Sequence, residues 1–228
     1  MEKKLSRRDF LKASAAASAV LTAGGILSGR EAYAKEPAPI RLPKPEDANA
    51  GALLKILEKR ASSREFAPEP LPAPILSGVL WAAFGINRPD GRRTAPSASN
   101  RQEIDIYVAA PDGLYLYDPK AQALAPVSGA DIRALTGQQA YAATAAVDFV
   151  YVADMAKAGG STREEKAFLS GADTGFIAEN VYLYCAAAGL ATVVRASIDR
   201  PVLAKAMKLR PEQEITLAQC VGYPKKKA

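Results

Sequence analysis

Glu103-Ile104-Asp105-Ile106-Tyr107-Val108-Ala109-Ala110-Pro111-Asp112-Gly113-Leu114-Tyr115-Leu116-Tyr117 is the stretch that decides the fold class. Its first half alternates, so Ile104, Ile106 and Val108 share one side of an extended chain. Pro111-Asp112-Gly113 carries turn chemistry, and residues 114–117 are again β-prone, which predicts a hairpin. Upstream, residues 47–59 have helical spacing, with Leu53, Leu54, Ile56 and Leu57 for one face. Prolines break the chain over 68–74, and residues 75–84 read as an apolar helix. Downstream, the pattern predicts a helix from Asp131 to about Tyr141 and a strand over 147–153. A long helix follows, opened by the capping-box pair Ser161 and Glu164 and closed near Ala188 by Gly189. A strand over 191–194, a helix over 200–209 and a strand over 215–221 complete the series. Helices and strands are mixed and the sheet begins with a hairpin. The fold class is therefore α+β: a mixed, largely antiparallel sheet flanked by helices.

Residues 1–34 stand apart from this pattern. A basic segment containing Ser6-Arg7-Arg8-Asp9-Phe10-Leu11-Lys12 leads into a short Ala-rich apolar run, and then into the small-x-small site Ala32-Tyr33-Ala34. That order is a signal peptide, and the arginine pair in its Ser-Arg-Arg-x-Phe-Leu-Lys setting marks the twin-arginine route. The apolar run is broken by Gly24 and Gly25 and is too short for a stable membrane span. Because that route carries folded proteins, the leader favours a bound cofactor and a periplasmic destination, with the twin-arginine export machinery as a partner. Residues 35–46 form a Pro-rich tether, leaving 47–228 as one domain.

Composition removes several function classes. The leader holds six of the chain's 30 Lys/Arg and three of its 24 Asp/Glu, so the remainder has 24 basic and 21 acidic residues. Those charges are scattered, without the dense basic stripe that nucleic acid requires. The 228 residues contain no histidine, which excludes a Ser-His-Asp hydrolase and a His-ligated metal site. Cys185 and Cys220 have no metal spacing and read as buried free thiols. No metal site is expected.

Two segments carry chemistry. In Lys59-Arg60-Ala61-Ser62-Ser63-Arg64-Glu65-Phe66, the residues Arg60, Ser62 and Arg64 alternate. An extended chain turns them to one side, giving two planar guanidinium groups and a hydroxyl suited to a phosphate; a solvated, charged helix end is the plainer reading. The loop Gly91-Arg92-Arg93-Thr94-Ala95-Pro96-Ser97-Ala98-Ser99-Asn100-Arg101-Gln102 combines small residues with side-chain amides. Such a loop lets a flat ring approach the backbone and meets its polar edge. Other features read as structure. Gly159-Gly160-Ser161-Thr162 is a turn with an N-cap, Tyr182 and Tyr184 are packing residues, and Asp173 and Glu179 are solvated or interface charges.

The pairing of KRASSREF with PSASNRQ about thirty residues later resembles the FMN-dependent nitroreductase-like superfamily. The longer match LWAAFGINRPDGRRTAPSASN…DGLYLYD is most similar to the branch of the SagB-type peptide-azoline dehydrogenases. Glu179-Asn180-Val181-Tyr182-Leu183, Gly189-Leu190-Ala191-Thr192 and Val221-Gly222-Tyr223-Pro224 extend the resemblance over essentially the whole chain after the leader. The resemblance implies an obligate homodimer with FMN at the subunit interface. Arg60, Ser62 and Arg64 would hold the phosphate and ribityl chain. Pro96, Ser97 and Ala98 would lie along the flavin, with Asn100 near its polar edge. Gln139, or its neighbour Gln138, would contact the pyrimidine side. Ala196 and Ser197 would bring backbone N–H groups near flavin N5, where many nitroreductases have Glu-Gly. Lys225 or Lys227 would reach the phosphate. No protein side chain is required as a catalytic group, because the flavin passes hydride or electrons between a donor and a small-molecule acceptor in two half-reactions. Azoline-peptide oxidation and non-catalytic flavin binding are the alternative readings. The departure from Gly-Ala at Ser99-Asn100 weighs against the first.

Overall fold

The computed structural model describes Arg41, Leu42, Pro45 and residues 50–226. The expected leader, most of the tether, the first residues of the expected first helix and Lys227 lie outside the described residues. The elements, in chain order, are α1 (Gly51–Lys59), α2 (Ala73–Phe84), β1 (Ile104–Ala110), β2 (Gly113–Asp118), β3 (Ala123–Ser128), β4 (Val147–Asp154), α3 (Arg163–Ala188), β5 (Ala191–Arg195), α4 (Arg200–Ala206) and β6 (Gln213–Gly222).

The six strands form one sheet in the order β3-β2-β1-β4-β6-β5. Every ladder is antiparallel, so the expected mixed sheet is corrected to a wholly antiparallel one. Each strand changes direction relative to its neighbour, and no parallel crossover is needed.

All eight residues of β4 are buried, because helices and loops cover both sides of the sheet. Alternation divides them. Phe149, Tyr151 and Ala153 join Ile104, Ile106 and Val108 of β1 under α2 and α3. Val150 and Val152 pack on the opposite side with Leu203 and Met207, in and just after α4. Ile104, Ile106 and Val108 share one side, as their alternation predicts.

Two segments differ from expectation. β3 was not legible: it is an exposed edge strand carrying Pro126, and such strands lack the buried alternation that marks inner ones. The helix expected over 131–141 is replaced by two short 3-10 turns, Arg133–Leu135 and Ala140–Ala143. Here the tertiary environment overrides propensity. The Thr136 hydroxyl donates to the Asp148 carboxylate at 2.9 Å, and a Cβ at Gly137 would lie 2.7 Å from Arg195 Nε.

The cap of α3 is displaced by one residue from Ser161/Glu164. Thr162 is the N-cap: its hydroxyl accepts the Glu165 N–H at 3.1 Å, and the Glu165 carboxylate accepts the N–H of Ser161 at 2.7 Å. Both pairs satisfy the capping pattern. Ser170, Asp173, Thr174, Ile177, Ala178, Val181, Tyr182 and Cys185 form the buried face of the helix. Gly189 closes α3 with a φ of 69°, as expected. Thr162→Ala should cost about 1 kcal/mol of stability, visible as a lower urea midpoint at unchanged slope.

Candidate active site

β5 is an edge strand, and the segment after α1 lies along it. Ser63 N–H donates to Thr192 C=O at 2.9 Å. This places Arg60 and Ser62 together on one tyrosine of α3. The Arg60 guanidinium lies 5.3 Å from the centre of the Tyr182 ring, and Ser62 Oγ is 2.9 Å from the Tyr182 hydroxyl. That hydroxyl also accepts the Val194 N–H at 2.9 Å. Tyr182 thus ties helix, strand and motif together, beyond the packing role read from the sequence. The C-terminal segment runs beside the same stretch: Phe66 bridges Pro224, and Lys225 N–H donates to Glu65 C=O at 3.3 Å. Arg64 and Lys225 are exposed.

At the far end of β5, two loops are joined. Gln138 N–H donates to Ser197 C=O at 3.0 Å, and the Ser197 hydroxyl donates to Gln138 Oε1 at 3.2 Å. Ala196 and Ser197 are exposed. Beneath them lies a buried network. Arg195 Nη2 donates to Thr136 Oγ1 at 2.7 Å and to Asp148 Oδ1 at 3.3 Å, and Nη1 contacts the Cys220 sulfur. The Arg195 guanidinium also sits 5.8 Å from the centre of the Tyr141 ring. Burial pushes the Asp148 carboxyl up to about 6, against the pull of Arg195. Two polar atoms here have no protein partner: Arg195 Nε and Gln139 Oε1. They flank Gly137, at 2.7 and 3.0 Å from where a Cβ would stand. Side chains larger than hydrogen are excluded from that point.

Cys185 and Cys220 are buried and unpaired with one another, as expected. Burial pushes the Cys185 thiol up to about 12 and raises the Cys220 thiol as well. Both stay protonated and unreactive.

The third group is the loop before β1. Arg93 organises it, donating to Gln102 Oε1 at 2.9 Å and Phe84 C=O at 3.0 Å while lying over the Phe84 ring. Ser99, Asn100 and Gln102 have φ of 52°, 54° and 50°, a left-handed conformation that costs non-glycine residues energy and clusters at functional sites. Gln102 N–H donates to Ser97 Oγ at 3.0 Å, and its side-chain amide donates to Asn100 Oδ1 at 3.0 Å. Ala98 N–H donates to Asp173 Oδ2 at 2.8 Å. Asp173 is buried, which corrects the expectation of a solvated charge; Glu179 is exposed.

Among the described residues, the protomer gathers Arg60 with Ser62, and Gln138 and Gln139 with the Ala196-Ser197 turn. The Pro96–Asn100 loop stands apart from the first group. They attach to α3 at Asp173 and Tyr182, nine residues apart, or about 13–14 Å along the axis.

The nitroreductase family model matches residues 57–223, most of the chain. The chain belongs to the nitroreductase family. A second model, the twin-arginine translocation pathway signal sequence, matches residues 4–24. A nitroreductase-family protein of Ralstonia eutropha JMP134 is 42% identical with a TM-score of 0.74, over 82% of this chain and 89% of that one. A nitroreductase-family protein of Methanocaldococcus jannaschii is 29% identical over 164 residues, covering 68% of this chain and 81% of its own. Two more distant structures share the nitroreductase fold. One is a Desulfovibrio desulfuricans protein in complex with FMN, at 20% identity and TM-score 0.58, over 80% of this chain and 89% of that one. The other is the E. coli microcin synthetase McbBCD complex, at 19% identity and TM-score 0.66, over 99% of this chain and 85% of that one. Among the described residues no helix is long and apolar enough to cross a membrane, and no group of three or more Cys, Asp or Glu is placed to hold a metal.

Proposed function

We propose that this nitroreductase-family protein is an FMN-dependent oxidoreductase, exported folded to the periplasm, that passes electrons between a donor and a small organic acceptor. The observation that carries the reading is the Arg60–Ser62–Tyr182 cluster on the edge of β5. It holds one guanidinium and one hydroxyl side by side at the surface. Arg64 and Lys225 add positive charge along the same segment, so the patch suits a terminal phosphate.

The residues present fit the rest of the group. Gln139 Oε1 is a buried acceptor without a donor, which suits an N–H on the pyrimidine edge of the flavin. The exposed Ala196-Ser197 turn offers backbone N–H groups. Pro96, Ser97 and Ala98 supply a small-residue surface for the ring, and Asn100 a polar contact. When bound, FMN supplies reversible hydride or electron transfer. The chain's own residues anchor the phosphate, orient the ring and stabilise negative charge with fixed donors.

The separation of the Pro96–Asn100 loop from Arg60 supports a homodimer. Phe168 is 76% exposed and Phe176 49%, and Gly171, Ala172 and Gly175 are exposed with them on the outer side of α3. Two large aromatics flanking small residues make a surface that a second copy would cover. Pairing along α3 lets the loop of one protomer meet the Arg60–Arg64 segment of the other. The periplasmic destination favours a quinol or a redox protein over a cytoplasmic nicotinamide donor.

The test is an absorbance spectrum of the purified exported protein. Flavin bands, FMN released on denaturation, and bleaching by an anaerobic reductant followed by reoxidation with a quinone or nitroaromatic are expected. Colourless protein that ignores added FMN overturns the proposal.

A further inference from the structure

Glu103 and Asp173 are buried together beneath the Pro96–Gln102 loop. Glu103 is 1% exposed and Asp173 3%, and neither takes part in an ion pair among the described residues. Glu103 Oε1 accepts the Ser170 hydroxyl at 3.1 Å. Glu103 Oε2 is buried with no donor. Asp173 stands three residues beyond Ser170 on the same buried face of α3, and its own Oδ2 accepts the Ala98 N–H.

Two bare carboxylates cannot share a dry site without a cation between them. One proton resolves the conflict: it gives the orphaned Glu103 oxygen a role as donor and leaves a single negative charge. Asp173 already accepts the Ala98 N–H, so the proton belongs on the Glu103 oxygen that has no donor. We propose that Glu103 and Asp173 form a carboxylic acid–carboxylate pair sharing one proton, a positioning device that fixes the Ala98 amide and with it the loop presenting Pro96 to Asn100.

The surroundings agree. From α3, Asp173 is the charged group facing Glu103, and Ser170 is neutral. The loop offers the Ala98 amide. From β4, Asp154 reaches Glu103 only through its backbone N–H, its carboxylate being engaged by Arg210 and Lys157. Burial, reinforced by the Asp173 charge, raises the Glu103 pKa. The stability conferred by the shared proton is therefore complete below the ordinary Glu value of about 4.3 and is lost as pH rises through the raised folded value. The loop needs such an anchor, because three of its residues are held in the left-handed region.

The consequence for the ring contact rests on the FMN reading, but the pair does not, and the experiment separates them. Infrared spectra of the purified protein at neutral pH should show a protonated-carboxyl C=O band. Glu103→Gln should abolish it. Asp173→Asn should abolish it as well, because the amide supplies the donor and leaves Glu103 ionised. Hydrogen exchange over residues 96–102 should be faster in Asp173→Ala by about tenfold or more, the loss of one charge-assisted bond. The same variant should raise the FMN dissociation constant. A missing band in the wild type, or loop exchange unchanged in both Asp173 variants, overturns the proposal. Should the wild type bind no FMN, the flavin reading falls while the band and the exchange rates still decide this one. Should Asp173→Ala not fold, the band in Asp173→Asn decides it.

Discussion

Arg60→Ala is expected to raise the FMN dissociation constant by about thirtyfold to a thousandfold, the equivalent of ~2–4 kcal/mol for truncating one partner of a charge pair. Arg60 is half-buried, its guanidinium held over Tyr182, and it stands beside Ser62 on the same tyrosine. That ordering is done before any ligand arrives, so little side-chain entropy remains to be lost on binding. Arg60→Lys keeps the charge but loses the planar fork and the stacking, and should fall between the two. Tyr182→Phe should weaken binding less, because it frees Ser62 and the Val194 N–H without removing a charge. Fluorescence titration of FMN measures all three. The Arg60→Ala loss should shrink with rising salt, as a phosphate contact requires. Wild-type affinity in Arg60→Ala would mean that the phosphate is held elsewhere.

Asp148→Ala should destabilise the fold by about 3–5 kcal/mol, the cost of leaving one member of a buried ion pair without its partner. Arg195 would be left without its carboxylate partner in a site where its side chain is 1% exposed, and the Thr136 hydroxyl would keep only the Arg133 carbonyl as acceptor. Asp148→Asn should cost less, because the amide oxygen still accepts from Thr136. The pH dependence is specific. With the Asp148 carboxyl raised to about 6, its contribution to stability is complete below its unfolded value of about 3.9. It declines as pH rises through the folded value. Urea midpoints followed across that window should fall in the wild type, and Asp148→Asn should lack this component. An Asp148→Ala midpoint within error of the wild type would show that the network is not structural.

The sequence exposed what is periodic or local. The β1–β2 hairpin, the buried strand β4, the long helix and its closing glycine all follow from alternation, helical spacing or turn chemistry within a few residues. The i, i+2 spacing predicted one side for Arg60, Ser62 and Arg64; Arg60 and Ser62 both meet Tyr182, whereas Arg64 is exposed. What escaped depends on partners distant in the chain. β3 is an edge strand with a proline, and the 131–141 segment is shaped by Arg195 and Asp148, which lie outside it. Asp173 could have been found: it falls on the same helical stripe as Ser170, Ile177, Val181 and Tyr182, the stripe that faces the sheet. A carboxylate there needs a partner, and Glu103, at the entrance to β1, supplies one.

The position of β6 has a bearing on synthesis and transport. The strand contributed by residues 213–222 is an interior one, wedged between β4 and β5. Until it leaves the ribosome, β4 has an open edge and β5 has no neighbour to pair with. The export address at residues 4–24 is therefore readable long before there is a finished cargo behind it. Loading through a route reserved for folded passengers must wait until residues 213–222 have emerged and taken their place in the sheet.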